Sequence, residues 1–332
     1  MNEGRLETVE RAVEARLSLL DERHEAALRL FAGFYEGNPD LVIDLYGRTL
    51  LFHNYASQPE QALPFLQETM HYLLKRFPWI QCVVLKTRQG KTAEKRRGEV
   101  LYGKEMDRRI CENHIWYAVD LLLNRDSSFY LDTRNLRLWA SQNLQGQRVL
   151  NAFAYTGSLG VASLAGGAGQ VVHLDRNRAF LNLAKTSYTL NGLPVQKTDF
   201  LTGDFFVKTS QMRRRGELFG CVFLDPPFFS TSGAGTVDLL NQSERLINKV
   251  RPLVRDGGRI AAMNNALFIS GAEYWRSLEN LCSDGYLSIE ATIPIPPDIT
   301  GFPQTILAQP PVDPAPFNHP TKIAVLKVKK KS

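Results

Sequence analysis

From residue 146 onwards, short apolar segments alternate with amphipathic segments of ten to fifteen residues, and this alternation restricts the possible folds. The apolar segments read as strands, in "RVLNAFA", "QVVHLD", "VQKTDFLTGD", "CVFLDPP" and "RIAAMNN". The segments between them have helical spacing, and the longest of these predicted helices is "DLLNQSERLINKVRPLVRDGG". Strands that alternate with helices form right-handed βαβ units around a parallel sheet. We therefore predict an α/β fold with a Rossmann-like sheet.

Two further predicted strands, "LSIEATIPI" and "KIAVLKVKK", follow without a helix between them. Two consecutive strands that lack a helical crossover are expected to pair as an antiparallel edge of the sheet. Their connection is rich in proline, and we interpret it as an ordered or lid-like loop.

The chain of 332 residues is longer than one core usually organises, so more than one domain is expected. Apolar residues recur at helical spacing over residues 5–32, which predicts one or two amphipathic helices. Residues 38–120 read as a small α+β unit with a β-hairpin in "DLVIDLYGRTLLFHNYA". We predict three parts, namely an N-terminal helical segment (1–37), the α+β domain (38–120) and the Rossmann-like domain (121–332).

The sequence contains no run of about 18 uncharged apolar residues, so no transmembrane helix is predicted. The N-terminus carries charges every few residues and lacks the apolar centre of a signal peptide, which predicts a cytoplasmic protein. The four cysteines are widely spaced and form no CxxC pair. We predict buried thiols, no disulfide and no metal site.

The net charge is +6, and the basic residues are clustered. "KTRQGKTAEKRR" contains six cations and one acid, while "MRRRG" and "KVKKKS" form two more clusters. A single cluster is more typical of a solvated loop, but three together favour a polyanionic partner such as RNA. The residues that we predict to contact nucleic acid are Lys86, Arg88, Lys91, Lys95, Arg96 and Arg97.

Ligands of open α/β sheets bind beyond the carboxyl ends of the strands. In "NAFAYTGSLG", Gly157 allows a tight turn, and Gly157 and Gly160 are expected to leave space for a ligand. The loop matches neither GxGxxG nor a P-loop, which disfavours dinucleotides and triphosphates. Asp175 ends the next strand, where a carboxylate can accept both hydroxyls of a ribose or can be an ordinary surface acid.

Two more strand ends carry candidate residues. Asp204 and Phe205 suit an adenine amine and its ring, or a turn aspartate followed by a core phenylalanine. In "VFLDPPFF", Asp225 precedes a rigid prolyl pair that leaves carbonyl acceptors free. Acceptors beside an aromatic ring suit a planar target such as a flipped nucleobase, whereas the simpler interpretation is a strand end with an apolar lid. The catalytic candidates in this motif are Asp225, Pro226, Pro227, Phe228 and Phe229.

Taken in order, these motifs resemble the class I methyltransferases that use S-adenosylmethionine (SAM), and in particular the bacterial 23S rRNA base methyltransferases. That family includes 5-methylcytosine enzymes with an N-terminal PUA domain and a 7-methylguanine relative. The resemblance is carried by "SSFYLDTRNLR", "VLNAFAYTGSLGVASLAGGA", "VVHLDRN", "LNG", "GD" and "FLDPPFF", and it extends over about residues 38–332. It implies SAM as cofactor and rRNA as partner, with the oligomeric state, monomer or homodimer, left open. The cofactor residues that it implies are Phe129, Tyr130, Tyr155, Thr156, Gly157, Asp175, Arg176, Asp204 and Phe205.

The chain departs from that family's pattern in two respects. The 5-methylcytosine enzymes carry a nucleophilic cysteine in the turn after the fifth strand, where this chain has "AAMNNA". That turn is closer to the asparagine-containing turn of the guanine-N7 relative, which implies N-methylation with Asn264 or Asn265 at the base edge. No PUA-like barrel is visible. A 5-methylcytosine enzyme, a DNA or protein-amide methyltransferase and a non-catalytic RNA-binding protein remain as alternatives.

Overall fold

The computed structural model describes residues 3–240 and 242–330. The chain divides into two compact units. The first comprises the residues up to Asp132 together with Pro296–Gln309, and the second comprises Thr133–Ile295 and the residues from Pro310 onwards.

The first unit is built on a five-stranded sheet in the order β1-β2-β3-β4-β5. All neighbouring strands are antiparallel except β3 and β4, which helix α2 connects in parallel. A separate hairpin, β6–β7, follows. The elements are α1 (Glu3–Glu14), β1 (Ala27–Phe31), β2 (Leu41–Tyr46), β3 (Thr49–Asn54), α2 (Pro59–Arg76), β4 (Cys82–Thr87), α3 (Ala93–Arg97), β5 (Glu99–Gly103), β6 (Arg109–Glu112) and β7 (Ile115–Ala118).

The predicted hairpin of the first unit is confirmed, since β2 and β3 pair through a turn at Gly47, whose φ is 61°. The second predicted N-terminal helix is wrong, because Ala27–Phe31 pairs with β2 as a strand. Helix α1 buries Val9 and Val13 in the same core as these strands. The structure thus groups residues 3–37 with the α+β unit instead of separating them, and it adds residues 121–132 and Pro296–Gln309 to that unit.

The second unit contains a seven-stranded sheet in the order β10-β9-β8-β11-β14-β16-β15. Pairing is parallel except that β16 runs antiparallel to β14 and β15, which confirms the predicted antiparallel edge. The elements are α4 (Arg134–Asn143), β8 (Arg148–Ala152), α5 (Ser158–Ala165), β9 (Gln170–Asp175), α6 (Arg178–Leu190), β10 (Phe200–Thr202), α7 (Phe205–Arg214), β11 (Phe219–Leu224), β12 (Phe229–Ser232), β13 (Gly235–Asp238), α8 (Ser243–Val250), β14 (Val254–Asn264), α9 (Gly271–Cys282), β15 (Leu287–Thr292) and β16 (Lys322–Val328).

The long helix predicted between β11 and β14 is wrong in extent. Residues 229–238 form the hairpin β12–β13, and α8 covers only Ser243–Val250. A 3₁₀ turn at Arg251–Leu253 then leads into β14. Proline at position 252 lacks an amide hydrogen and clashes with the preceding turn, so it stops the helix.

Strand order reverses at β8, because β9 and β10 lie on one side of it and β11 and β14 on the other. In sheets of this kind, the crevice for a ligand opens at the carboxyl ends of the two strands that flank the reversal. Among the described residues, no helix has the length and hydropathy needed to cross a membrane.

Candidate functional site

The strand register brings the predicted site residues to one edge of the sheet. Ala152 of β8 is level with Leu174 of β9 and with Leu224 of β11, and Leu224 is level with Ala262 of β14. The residues that follow these positions, including Asp175 and Asp225, therefore emerge at the same edge, with Asp175 and Asp225 on opposite sides of β8.

The loop after β8 has an unusual backbone. Phe153, Tyr155 and Gly157 have φ values of 56°, 50° and 79°. Left-handed conformations at non-glycine residues are costly and concentrate at ligand sites. Thr156 is buried within this loop. The Ala154 amide donates to the Leu174 carbonyl oxygen at 2.9 Å and ties this loop to β9.

Asp175 joins the loop after β8 to the end of β9. Its Oδ2 accepts the Tyr155 amide at 2.8 Å, and its Oδ1 accepts the Asn177 amide at 2.8 Å. Burial raises the pKa of Asp175, against the opposing effect of these hydrogen bonds. A carboxylate has more acceptor sites than these two amides occupy, so Asp175 is able to accept a hydroxyl donor. Arg176 beside it is exposed, and its guanidinium lies 3.4 Å from the Thr231 carbonyl oxygen.

The expected ligand space at Gly157 and Gly160 is occupied by protein, so that expectation is corrected. A Cβ at Gly157 would lie 2.5 Å from Cβ of Ala184. A Cβ at Gly160 would clash with Cε1 of His173. The two glycines allow the loop and α5 to pack closely on β9 and α6.

Sequence reasoning missed His173, whose ring packs against Gly157 and Gly160. Its Nε2 lies 2.9 Å from the Tyr188 hydroxyl, and its ring stacks on Phe200 with centroids 5.0 Å apart. Complete burial lowers the pKa of His173 to about 3, so the ring is neutral at physiological pH. The position of the histidine inside the apolar strand "VVHLD" was the available signal.

Asp204 and Phe205 begin α7. The Asp204 Oδ1 caps the helix by accepting the amides of Phe206 and Val207 at 2.9 and 3.1 Å. Burial acts to raise the pKa of Asp204, but hydrogen bonds from the Ser232 hydroxyl and these amides hold it below its usual value. Phe205 is buried against Phe153, with ring centroids 4.5 Å apart. Both residues thus have structural contacts, and their contact with adenine stays a prediction.

The "DPPFF" motif contains a buried and an exposed part. Asp225 is half-buried and Pro226 is buried, whereas Phe228 and Phe229 are 44% and 58% exposed. Pro227 is also exposed, and the hairpin β12–β13 begins two residues later at Phe229. Two exposed phenyl rings beside a partly buried carboxylate provide an apolar surface for a planar group.

The two asparagines of "AAMNNA" differ sharply. Asn264 is fully buried, its Oδ1 accepts the Ala266 amide at 2.9 Å, and its Nδ2 is directed at the Leu239 carbonyl oxygen at 3.4 Å. It therefore holds the turn, and a contact of Asn264 with a base edge does not fit its burial; the alternative contact from Asn265 stays a prediction. The Oδ1 of Asn265 is buried without a hydrogen-bond partner in the described structure. The buried Lys322 donates to the Ala266 carbonyl oxygen at 3.0 Å and fixes the same turn.

Two predicted cofactor residues belong to the first unit. Phe129 packs against Tyr117 with ring centroids 4.9 Å apart, and its carbonyl oxygen accepts the Tyr46 hydroxyl at 2.8 Å. Tyr130 is 39% exposed. Their contact with a cofactor stays a prediction.

The basic segment is only partly available to a ligand. Lys86 is buried and donates to the carbonyl oxygens of Asn124 and Asp126 at 2.7 and 3.0 Å, so a phosphate contact from it does not fit the structure. Burial lowers the pKa of Lys86 to about 8. Arg88 pairs with Asp126 at 2.7 Å, and Arg96 donates to the Gly90 carbonyl oxygen at 2.7 Å. The exposed cations are Lys91, Lys95 and Arg97.

All four cysteines are free, and burial raises the pKa of each thiol. For Cys221, which lies inside β11 with no exposed surface, the pKa rises to about 12. A thiol with a raised pKa is a poor nucleophile at neutral pH.

The family model of S-adenosylmethionine-dependent methyltransferases matches residues 29–281. Ribosomal RNA large subunit methyltransferase I of Photobacterium profundum is 31% identical over 248 residues, which are 72% of this chain and 62% of that protein. The protein of the same name from Aeromonas salmonicida is 31% identical over 225 residues, which are 67% and 57% of the two chains. The chain thus spans less than two thirds of the length of these relatives.

Solved structures share the architecture. A candidate methyltransferase crystallised with S-adenosylhomocysteine superposes with a TM-score of 0.84 at 21% identity, over 97% of this chain and 80% of its own. A candidate SAM-dependent methyltransferase from Streptococcus mutans superposes with a TM-score of 0.81 at 21% identity, over the same shares. This likeness confirms the predicted Rossmann-like α/β fold.

Proposed function

This chain belongs to the S-adenosylmethionine-dependent methyltransferase family, and from that premise we propose that it methylates a base of large-subunit ribosomal RNA, at N7 of guanine. The RNA substrate is supported by the names of the relatives and by the exposed cations of the first unit. The proposal places the protein in the cytoplasm, where ribosomal RNA matures.

The residues at the carboxyl edge fit the proposed cofactor. Asp175 is partly buried, has a raised pKa and keeps free acceptor capacity, which suits neutral hydroxyl donors such as those of a ribose. The loop of Tyr155, Thr156 and Gly157 would hold the methionine part beside it. When bound, SAM supplies an electrophilic methyl group carried on a sulfonium.

The acceptor side is formed by the motif around Asp225. Its carboxylate is able to accept N–H donors from a base, and Phe228 or Phe229 is able to stack on the ring, which contributes about 1–3 kcal/mol per base. N7 of guanine holds an in-plane lone pair, so methylation there requires neither a base nor a covalent enzyme adduct. The contribution of the protein is orientation in a site that excludes water.

The observation that favours a ring nitrogen such as N7 over C5 of a pyrimidine is the state of the thiols. Methyl transfer to C5 of a pyrimidine needs a thiolate at the base edge. Over the described residues of the carboxyl edge, the turn after β14 provides asparagines and no cysteine, and Cys221 is buried with a raised pKa.

The test is methyl transfer to in vitro transcribed large-subunit rRNA, with nucleosides identified by mass spectrometry. We expect 7-methylguanosine, and we expect Asp225→Ala to lower turnover at least about a hundredfold while SAM affinity, measured by calorimetry, is retained. Single Cys→Ala variants should stay within about tenfold of wild type. 5-Methylcytidine, or a folded cysteine variant without activity, would contradict N7 methylation, and transfer to DNA or protein instead of RNA would contradict the substrate.

A further inference from the structure

A cationic cleft lies in the second unit, between α7 and α8. Its volume is about 560 Å³, and α7 contributes Ser210, Arg213 and Arg214 to its lining. Helix α8 contributes Arg245, Asn248 and Lys249. We refer to it as the α7–α8 cleft.

The cations of this cleft have no acidic counterpart in the described part of the chain. Arg245 donates to the Gln242 side chain at 3.0 Å, and Lys249 donates to the Ser210 hydroxyl at 2.7 Å. No carboxylate of the described residues forms an ion pair with either of them or with Arg213 and Arg214, and no described lining residue is acidic. Like charges collected in one concavity repel one another and raise the local concentration of anions.

Helix dipoles account for only part of this arrangement. Arg213 and Arg214 occupy the last turn of α7, and Lys249 the last turn of α8, where a cation is favourable. Arg245 lies in the first turn of α8, where the dipole disfavours a cation. The dipole of α8 therefore does not account for Arg245.

The cleft is connected to the "DPPFF" motif through the hairpin. Ala234, in the turn between β12 and β13, lines the cleft. The neighbouring Gly235 packs on Phe206 of α7, since a Cβ there would lie 2.7 Å from Cδ2 of that ring. The turn of the hairpin that starts at Phe229 therefore lies at the cleft.

We propose that the α7–α8 cleft binds backbone phosphates of the RNA strand that carries the target base, an inference that depends on the proposed RNA substrate. Guanidinium groups bind phosphate oxygens in pairs, and Ser210 and Asn248 add neutral donors. The site consists of other residues than the basic segment of the first unit, and it accounts for Arg213 and Arg214 of the "MRRRG" cluster.

The experiment measures the salt dependence of binding to the same rRNA transcript. Arg214→Ala/Arg245→Ala should lower the slope of log K against log[salt] by about 0.7–0.9 per lost contact, and Arg214→Lys/Arg245→Lys should keep it. The matched control is Arg215→Ala, because Arg215 is adjacent, exposed, outside the cleft lining and 3.7 Å from Glu217. SAM affinity should be equal in all variants, which shows that they fold.

Two results would overturn the proposal. The first is an unchanged salt slope in Arg214→Ala/Arg245→Ala while the unmodified protein methylates the transcript. This result would contradict RNA binding by the cleft and would leave the proposed function intact. If wild-type protein neither binds nor methylates RNA, the proposed function and the cleft would both fall.

Discussion

At the scale of single residues, Asn264 and Asn265 show how neighbours of one type acquire different tasks. The Oδ1 of Asn264 accepts the Ala266 backbone amide, whereas the Oδ1 of Asn265 is buried without a partner in the described structure. An unpaired buried acceptor lowers the free energy of unfolding of a protein. A protein can retain such a group where a ligand donates a hydrogen bond to it.

The pair predicts a separation of stability from activity. Asn264→Ala should lower the free energy of unfolding by about 1–3 kcal/mol, because it leaves the buried Ala266 amide unpaired. Asn265→Ala should leave urea unfolding unchanged or shifted to higher urea, and should lower kcat/KM for RNA about tenfold. Wild-type kcat/KM in Asn265→Ala would remove this residue from the site.

At the scale of secondary-structure elements, Asp175 connects two strand ends. Its carboxylate receives the Tyr155 amide from the loop after β8 and the Asn177 amide from the turn after β9. The left-handed residues of that loop need such a constraint, since an isolated loop would relax out of this conformation.

Asp175→Ala should therefore raise the Kd for SAM more than tenfold, because two hydrogen bonds to a charged group are lost and the loop is released. Asp175→Asn keeps one oxygen acceptor, so its Kd for SAM should lie between the values of wild type and Asp175→Ala. Calorimetric titration with SAM and with S-adenosylhomocysteine measures both. Wild-type affinity in a folded Asp175→Ala variant would show that the pocket lies elsewhere.

At the scale of the whole molecule, the first unit includes a segment that follows most of the second unit in sequence, Pro296–Gln309. The Arg16 guanidinium pairs with Glu36 at 2.8 Å and donates to the Asp298 carbonyl oxygen at 2.8 Å, while the Thr305 hydroxyl donates to Glu36. Arg16 and Glu36 are 0% and 1% exposed. The first unit thus depends on residues that are remote in sequence, and these contacts hold the part of the proline-rich connection that belongs to this unit.

Glu36→Gln should lower the free energy of unfolding by about 3–5 kcal/mol, because it leaves a buried guanidinium without its counter-charge. The control is Glu14→Gln, which breaks an exposed pair with Arg76 at 3.1 Å and should cost less than about 1 kcal/mol. Urea unfolding and hydrogen exchange of peptides from residues 27–54 give the measurement. Equal effects of the two variants would contradict the role of the buried pair.

Sequence by itself determined the features that depend on local periodicity. The alternation after residue 146 predicted the parallel sheet, and the absence of a helix before β16 predicted its antiparallel edge. Because parallel strands expose their carboxyl ends at one edge, the residues after them, Asp175 and Asp225, were predictable as members of the same edge.

Only the tertiary structure decided the features that depend on neighbours remote in sequence. Ala27–Phe31 has an apolar pattern compatible with helix or strand, and pairing with β2 made it a strand. The burial of Lys86 within a run of cations, and the filling of the space beside Gly160 by His173, arise from packing partners on other elements. The periodicity of side chains predicts which face of a helix or strand a residue occupies. The residues that contact that face are determined only when the whole chain has folded.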